Sequence, residues 1–280
     1  MKLIRFGPPG HEQPGIWKEN KIVDLRSIYP EIPDIGEQFF RDGWIEKLAG
    51  LEADGQSMDV RLGAPVFRPE KIVCLGKNYA EHAKEGGFDM PEAPLLFCKT
   101  PNALNGPFDP ILVPISSDQI DWEVELAVVI GKKGVRIPQD RALDYIAGYT
   151  VMNDVSGRRA QFAHSQWFRG KSFDTFAPLG PALVTPDEVG DVQNLRLTAT
   201  VNGEVMQDGT TRDMIFSIED IISDLSQDIT LVPGDIISTG TPAGVGIFRD
   251  PPVVLNEGDE VECWIEKIGS ICNKVVASRR

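Results

Sequence analysis

Alternation of apolar and polar residues, the pattern typical of half-buried β-strands, recurs along most of the chain. It is clearest at 195–201, which runs into Asn202 and Gly203, a dipeptide that favours a tight hairpin turn. Two further turn-and-strand patterns follow at 231–237 and 256–265, and Gly269 then reverses the chain. The C-terminal part of the chain is therefore predicted to consist mainly of short strands joined by turns.

Helical patterns are few. Ser217 is expected to cap a helix, because Glu219 and Asp220 place acidic residues in its first turn. Two more helices are expected, one near 35–48 and one after Pro138 over 139–146. Because strands and helices do not alternate, we predict an α+β, mainly β fold, a β-sandwich or roll and not a doubly wound sheet.

The organisation of the chain predicts two unequal domains, which its 280 residues can accommodate. Short strands at Lys2–Phe6 and Lys21–Asp24 belong to a small N-terminal domain of residues 1–65. Pro65 and Pro69 mark 63–70 as a linker. The larger domain is predicted to span residues 66–280.

The stretch DWEVELAVVIGK at 121–132 combines a strand pattern with a row of acids. Every second residue from Trp122 to Val128 is apolar, whereas Asp121, Glu123 and Glu125 point to the opposite face. Like charges this close repel each other, so either the face is solvated or a cation lies between the carboxylates. The apolar residues that follow favour burial, and with burial a cation.

A third candidate carboxylate, Asp154, ends a second apolar strand at 149–155. Carboxylate oxygens are the ligands that Mg²⁺, Mn²⁺ and Ca²⁺ prefer. Glu123, Glu125 and Asp154 are therefore a candidate divalent-cation site with positions left for water and substrate.

His82 and Glu85 are spaced three residues apart, which places them on one face of a helical turn. A carboxylate beside an imidazole orients the ring and raises its basicity, as a general base acting on water requires. Gly76, Gly86 and Gly87 bracket the turn and would allow it to move as a lid. The alternative is a solvated surface turn.

Basic and hydroxyl side chains follow the acidic strand. Arg158 and Gln161 would share a helical face, and Lys171 lies in a loop, so they could hold a carboxylate or stabilise an oxyanion. Thr241, in the glycine-containing segment 234–246, could donate to a substrate carboxylate. The alternatives are ordinary surface bases and a structural turn, and His164 is expected to be structural or solvated.

Charge and composition exclude several classes of function. Acidic residues outnumber basic ones by 42 to 28, giving a net charge of -14, which disfavours nucleic acid and anionic membranes as partners. The sequence has neither an apolar run of about 18 residues nor the apolar region of a secretory signal, so a cytoplasmic location is expected. The four cysteines lack zinc-site spacing and are expected to be buried free thiols.

Six motifs carry a resemblance to a known family. In order they are GKNYAEHAKE, DWEVELAVVIGK, GYTVMNDVSGRRAQ, RGKSFDTFAPLGP, VNGEVMQDGTTRDMIF and LVPGDIISTGTPAGVG. Together they resemble the fumarylacetoacetate hydrolase (FAH) family over about 70–280. The opening MKLIRFGPPGHEQPG resembles a bacterial branch of 2,4-diketo-3-deoxy-sugar-acid hydrolases and ureidoglycolate lyases.

This resemblance implies an FAH-type mixed β-sandwich roll that forms a homodimer. It implies Mg²⁺ or Mn²⁺, with Ca²⁺ as a substitute, on three carboxylates: Glu123, Glu125 and Asp154. It implies a catalytic His82–Glu85 dyad on a mobile lid. It further implies charge stabilisation by Lys171, with three substrate-binding residues around it: Arg158, Gln161 and Thr241.

The implied function is hydrolysis of the C–C bond of a 2,4-diketo acid to pyruvate and a hydroxy acid, through an enolate held by the metal. The same chemistry admits an oxaloacetate decarboxylase, a 2-hydroxyhepta-2,4-diene-1,7-dioate isomerase or a ureidoglycolate lyase. A non-catalytic metal-binding β-domain is the alternative from another class. Residues that read the tail of the 2-oxo acid substrate are expected on Phe88–Pro94 and near Trp167.

Overall fold

A computed structural model describes residues 1–19, 21–57 and 59–278. Its strands, in chain order, are β1 Lys2–Phe6, β2 Gln13–Lys18, β3 Lys21–Asp24, β4 Gln56–Ser57, β5 Leu62–Gly63, β6 Ile72–Gly76, β7 Leu95–Lys99, β8 Leu104–Asn105, β9 Ile111–Val113, β10 Ile120–Asp121, β11 Val124–Ile130, β12 Ile146–Asn153, β13 Ser156–Gly157, β14 Ala177–Val184, β15 Arg196–Val201, β16 Glu204–Thr210, β17 Ile236–Ser238, β18 Glu260–Ile265 and β19 Gly269–Ala277.

The strands form two main mixed sheets. The larger has the order β4-β3-β2-β1-β14-β12-β11-β17-β6-β7, with β5 paired to β1 and β8 to β14. The second has the order β16-β15-β18-β19-β9, and β10 pairs with β13 separately. Most neighbours are antiparallel, but β17 runs parallel to β6 and β19 parallel to β9.

Strand β11 is buried along its whole length because the large sheet is covered on both faces. Leu126 and Val128 pack in a core shared with the second sheet, which contributes Leu197 and Val261. The alternate residues, such as Val129, belong to a second core that includes the N-terminal helices. The apolar run Leu126–Ile130 of β11 follows from this double coverage.

The helices are short and lie between strands. They are α1 Leu25–Ile28, α2 Glu37–Arg41, α3 Trp44–Leu48, α4 Ala80–Glu85, α5 Arg158–Phe162, α6 Phe168–Lys171, α7 Pro186–Val189 and α8 Ile218–Leu225. Four 3₁₀ turns add to them within the described residues, at Pro101–Ala103, Gln139–Tyr145, Val192–Asn194 and Thr211–Asp213.

Two of the predicted helices differ from the structure. The helix expected near 35–48 is two helices, α2 and α3, because Gly43 adopts a left-handed φ of 71° between them. The helix expected over 139–146 is a 3₁₀ helix. The cap at Ser217 is confirmed. Its side chain accepts a hydrogen bond from the N–H of Asp220, and the Asp220 carboxylate accepts one from the N–H of Ser217.

The mainly β, mixed-sheet fold class is confirmed. The N-terminal strands extend the large sheet, since Lys2 of β1 pairs with Val184 of β14. Part of the expected linker is also in this sheet, because Leu62–Gly63 forms β5 and pairs with β1. The boundary at residue 65 stays a prediction.

Candidate metal and acid–base site

Three buried carboxylates converge where β11 begins and β12 ends. Glu123, Glu125 and Asp154 each offer an oxygen within 4.8 Å of the others. Antiparallel pairing of Val124 with Asn153 places the strand ends side by side, and the N–H of Asp154 donates to the carbonyl of Glu123 at 2.9 Å. Neighbouring strand ends thus bring together acids that are about 30 residues apart in sequence.

Two buried lysines neutralise part of this charge. Nζ of Lys171 donates to Oε2 of Glu123 at 2.6 Å and to Oδ2 of Asp154 at 2.7 Å. Nζ of Lys99 donates to Oδ1 of Asp154 at 2.5 Å and to the carbonyl of Val155 at 3.1 Å. Sequence reasoning missed Lys99. The one feature of the sequence that could have indicated it is its position as a lone charged residue at the end of the apolar strand β7.

Arg158 forms a second ionic cluster beside the first. Its Nε donates to Asp121 at 2.9 Å and one terminal nitrogen lies 2.7 Å from Glu123. The other terminal nitrogen donates to Oε1 of Gln161 at 2.9 Å, so the predicted shared helical face is confirmed. Asp121 is therefore the partner of Arg158 and lies outside the carboxylate triad, although the strand pattern grouped it with Glu123 and Glu125.

Glu125 is held by donors from the segment after β17. Its Oε2 accepts from the hydroxyl of Ser238 at 2.5 Å and from the N–H of Gly240 at 2.9 Å. Burial, and then the charges of Asp154 and Glu123, raises the pKa of this carboxyl well above its ordinary value. Burial acts in the same direction on Glu123, but Lys171, Arg158 and His82 together outweigh it and lower the pKa of Glu123.

The balance of buried charge fits a divalent cation. Four buried carboxylates face three buried cations, and the carboxylate with the raised pKa is Glu125. A divalent ion beside it would compensate its charge, and the oxygen-only donor set suits Mg²⁺ or Mn²⁺. The triad therefore has the chemistry of a divalent-metal site.

The predicted dyad forms on α4. Nδ1 of His82 lies 2.8 Å from Oε1 of Glu85, and Oε2 of Glu85 accepts from the N–H of Gly244 at 2.9 Å. A carboxylate at Nδ1 favours the tautomer with its proton there, which leaves Nε2 with a free lone pair. His82 is 8% exposed, and its ring centroid lies 6.0 Å from that of Phe248. The alternative of a fully solvated turn is thus wrong for His82.

Thr241 is close to these groups but its hydroxyl is engaged. It donates to the carbonyl of Val124 at 2.9 Å and lies 2.8 Å from Nε2 of Gln207, which donates to it. Its proposed donation to a substrate carboxylate would require the hydroxyl to rotate, and it stays a prediction.

Most of the predicted site residues line one cavity. Glu85 and Asp154 lie behind the wall, bonded to His82 and Lys171. The wall is formed by Leu75, Gly76, Lys77, His82, Phe88, Phe97, Glu123, Glu125, Arg158, Gln161, Phe162, Trp167, Lys171, Thr241 and Phe248.

Comparison with known proteins identifies the family. The model of the fumarylacetoacetate (FAA) hydrolase C-terminal region matches residues 71–276. The chain belongs to this family. A solved fumarylacetoacetate hydrolase from Exiguobacterium antarcticum is 38% identical with a TM-score of 0.82, over 99% of this chain and 100% of its own. The family resemblance and the FAH-type fold are thereby confirmed, and the chain is an enzyme of a family that acts on small molecules.

Two further relatives are named for their reactions. The mitochondrial oxaloacetate tautomerase Fahd2a of Rattus norvegicus is 45% identical over 287 residues, which cover 99% of this chain and 92% of the relative. A maleylpyruvate hydrolase from Sphingobium sp. SYK-6, solved with manganese(II) and pyruvate, is 31% identical with a TM-score of 0.80 over the full length of both chains.

Two expectations about composition can also be compared with the structure. All four cysteines are free. Cys74 and Cys263 are buried as expected, but Cys272 is half-buried and Cys98 is exposed, so the expectation of buried thiols is wrong for these two. Among the described residues, helices are all too short or too polar to cross a membrane.

Proposed function

We propose that this enzyme interconverts the enol and keto forms of oxaloacetate or a closely related 2-oxo acid, with a divalent metal. The observation that carries the proposal is one cavity that joins a buried carboxylate triad to a His–Glu dyad. The rat oxaloacetate tautomerase, which is 45% identical across almost the whole chain, supports this reaction. Tautomerisation therefore replaces hydrolysis as the favoured activity.

Glu123, Glu125 and Asp154 would hold the cation, for which we propose Mg²⁺ or Mn²⁺, with Ca²⁺ as a non-physiological substitute. When bound, such a cation would polarise the 2-oxo group of the substrate and offset the charge of its carboxylate. The donors of Ser238 and Gly240 would fix the orientation of Glu125 toward it.

Proton transfer at carbon C3 of the substrate falls to His82. In the direction of ketonisation, a protonated His82 delivers its Nε2 proton to C3, the enol hydroxyl gives its proton to solvent water as the C2 carbonyl forms, and His82 regains a proton from solvent. In the reverse direction the neutral Nε2 takes a proton from C3. Glu85 holds the ring through Nδ1 and stabilises the imidazolium.

Positive charge near the reacting oxygen comes from the chain itself. Lys171 and Arg158 are buried and are paired with Glu123, so they are fixed in place. Burial lowers the pKa of Lys171, but Asp154 and Glu123 outweigh it and raise the pKa well above the ordinary value, so the ammonium stays charged. Such a preorganised charge stabilises an oxygen that becomes negative as the C3 proton leaves. Gln161 and Thr241 are proposed to contact the substrate beside it.

Hydrolysis of a 2,4-diketo acid is the second candidate, and the maleylpyruvate hydrolase with 31% identity favours it. In that reaction the His82–Glu85 dyad would deprotonate water for attack on C4, and cleavage of C3–C4 would release pyruvate. Oxaloacetate decarboxylation, dienoic diacid isomerisation and ureidoglycolate cleavage use related chemistry. A non-catalytic metal-binding role has no feature in its favour, since a dyad and a fixed lysine adjoin the triad.

The test compares reactions on one preparation. Ketonisation of enol-oxaloacetate is followed by the loss of its ultraviolet absorbance, with Mg²⁺ or with EDTA, and pyruvate release is measured from oxaloacetate, acylpyruvates and a 2,4-diketo-3-deoxy sugar acid. The Glu125→Gln variant at the same Mg²⁺ concentration controls for reaction with free metal. We expect EDTA-sensitive ketonisation faster than any pyruvate release. If pyruvate release from the diketo acids is faster than ketonisation, the enzyme is a hydrolase. If pyruvate release from oxaloacetate is faster than ketonisation, it is a decarboxylase.

A homodimer and a cytoplasmic location stay predictions. The rat relative is named as mitochondrial, so location is the weaker inference of the two. Sedimentation and fractionation of the native cells would test them.

A further inference from the structure

Lys77 is a cation in the cavity wall that has no acidic partner. The other basic side chains in that wall are all paired: Arg158 with Asp121 and Glu123, Lys171 with Glu123 and Asp154, and His82 with Glu85. Within the part of the chain that the structure describes, no carboxylate oxygen lies within 4.0 Å of Nζ of Lys77. This nitrogen instead lies over the ring of Phe88. Lys77 is therefore the wall cation whose charge is available to a ligand.

The backbone holds Lys77 in a rare conformation. Its φ is +60°, a left-handed value that is strained for a residue with a Cβ. The next residue, Asn78, is fully buried and fixes this turn: its Nδ2 donates to the carbonyls of Thr239 at 2.8 Å and Phe216 at 3.1 Å. Its Oδ1 accepts from the N–H of Phe216 at 2.8 Å. Strain of this kind, enforced by surrounding bonds, is concentrated at functional positions.

Aromatic contacts link Lys77 to the dyad along the cavity wall. Nζ lies 4.0 Å from the ring centroid of Phe88, the Phe88 ring lies 5.9 Å from that of Phe248, and Phe248 lies 6.0 Å from His82. An ammonium above an aromatic face still has N–H donors for a carboxylate.

We propose that Lys77 binds the distal carboxylate of the substrate and selects 2-oxo dicarboxylic acids. This rests on the proposed function, in which C3 faces His82 and the carboxylate and 2-oxo group face the triad. The carboxylate at C4 is one bond beyond C3, so it would lie near the dyad, to which Lys77 is linked through Phe88 and Phe248. The net charge of -14 repels a dianion at long range, and an unpaired cation in the cavity offsets that repulsion locally.

The test uses oxaloacetate and its 4-methyl ester, which differ by the distal charge alone, with Mg²⁺ present. For Lys77→Ala we expect a KM for oxaloacetate raised about 10- to 100-fold, as for loss of a charged hydrogen bond, with kcat little changed. KM for the ester should be unchanged, and Lys77→Arg should keep most of the preference for the dianion. Lys84→Ala, which removes an exposed lysine from α4, is the charge-matched control and should behave like the parent.

Calorimetric binding of both compounds separates this proposal from the proposed function. If the parent protein binds oxaloacetate more tightly than the ester and Lys77→Ala removes that difference, Lys77 has its role even without turnover. If Lys77→Ala weakens the binding of both compounds equally, or of neither, the proposal is overturned. If the parent catalyses ketonisation and Lys77→Ala has the same KM for oxaloacetate, the proposed tautomerase activity is supported. Lys77 is then excluded as its specificity residue.

Discussion

The hydroxyl of Ser238 donates to Oε2 of Glu125 across 2.5 Å. The two residues are 113 positions apart and meet because β17 pairs with β11, with Ser238 opposite Ala127. The N–H of Gly240 donates to the same oxygen, so two donors fix the rotation of the carboxylate. Its other oxygen, Oε1, accepts no hydrogen bond from any described residue and is the one left for a cation.

Ser238→Ala should weaken Mg²⁺ binding about 10-fold, because a partner that orients a ligand carboxylate typically contributes 10- to 100-fold to metal affinity. Calorimetric titration with Mg²⁺ measures this. Ser117→Ala is the matched control, since Ser117 is also a buried serine but its hydroxyl has no hydrogen-bond partner in the described structure. An Mg²⁺ affinity that does not change in Ser238→Ala would mean that Gly240 alone orients Glu125.

Glu125→Gln and Asp154→Asn should separate metal binding from stability. Both remove a triad carboxylate, so both should abolish Mg²⁺ binding. In the metal-free protein, Glu125→Gln should not lower the free energy of unfolding, because burial already disfavours the charged form of Glu125. Asp154→Asn should lower it by about 3–5 kcal/mol, since it leaves the buried ammonium groups of Lys99 and Lys171 without their shared counter-charge.

Urea unfolding in EDTA and then in Mg²⁺ measures both effects. In the parent, Mg²⁺ should raise the free energy of unfolding, and in both variants this increase should disappear. Equal instability of the two variants in EDTA would contradict the charge balance that we infer for the buried cluster.

Gly244→Ala should impair the dyad without affecting the metal site. Gly244 has a φ of +104°, and a Cβ there would lie 2.2 Å from the carbonyl oxygen of Met206, so the backbone must move. Its N–H is the donor that fixes Glu85, and we expect kcat to fall about 10-fold or more as His82 loses its orientation. Gly258→Ala is the control, because φ is +98° there and a Cβ would meet nothing within 4 Å.

Both glycine variants carry the same kind of backbone strain, and the steric clash is specific to Gly244. Activity and Mg²⁺ affinity are measured on each. Comparable kcat losses in the two variants would attribute the effect to general destabilisation and remove Gly244 as the anchor of the dyad.

The parts of the site that sequence predicts are those with a local geometric rule. Period-two alternation places Glu123 and Glu125 on one side of the chain, and the spacing of three places His82 beside Glu85. The same locality accounts for the Ser217 cap. Each of these depends on a few neighbouring residues, so each is visible in one sequence.

The rest depends on pairings that local patterns do not contain. Lys99 reaches Asp154 across 55 residues. The strand pattern groups Asp121 with Glu123 and Glu125 because it does not reveal that Arg158, 37 residues later, folds back to Asp121. Sequence alone leaves Arg158 and Lys171 open between carboxylate or oxyanion binding and an ordinary surface position, and the family resemblance decides between them. The predicted helix over 35–48 failed for a local reason, since Gly43 offers a left-handed break that apolar periodicity alone does not detect.

His82→Ala should reduce ketonisation of enol-oxaloacetate by about 100-fold or more, within the range that a positioned acid–base group contributes. Mg²⁺ affinity should stay close to that of the parent, because the ligand group is formed by Glu123, Glu125 and Asp154 and does not include His82. Glu85→Gln should cause a smaller loss, since it keeps the size of the side chain but removes the charge that stabilises the imidazolium. The control is His164→Ala, which alters an exposed histidine and should leave both kcat and Mg²⁺ affinity unchanged. A parallel fall in Mg²⁺ affinity for His82→Ala would contradict a role confined to proton transfer, and full activity would transfer that role to another group in the cavity.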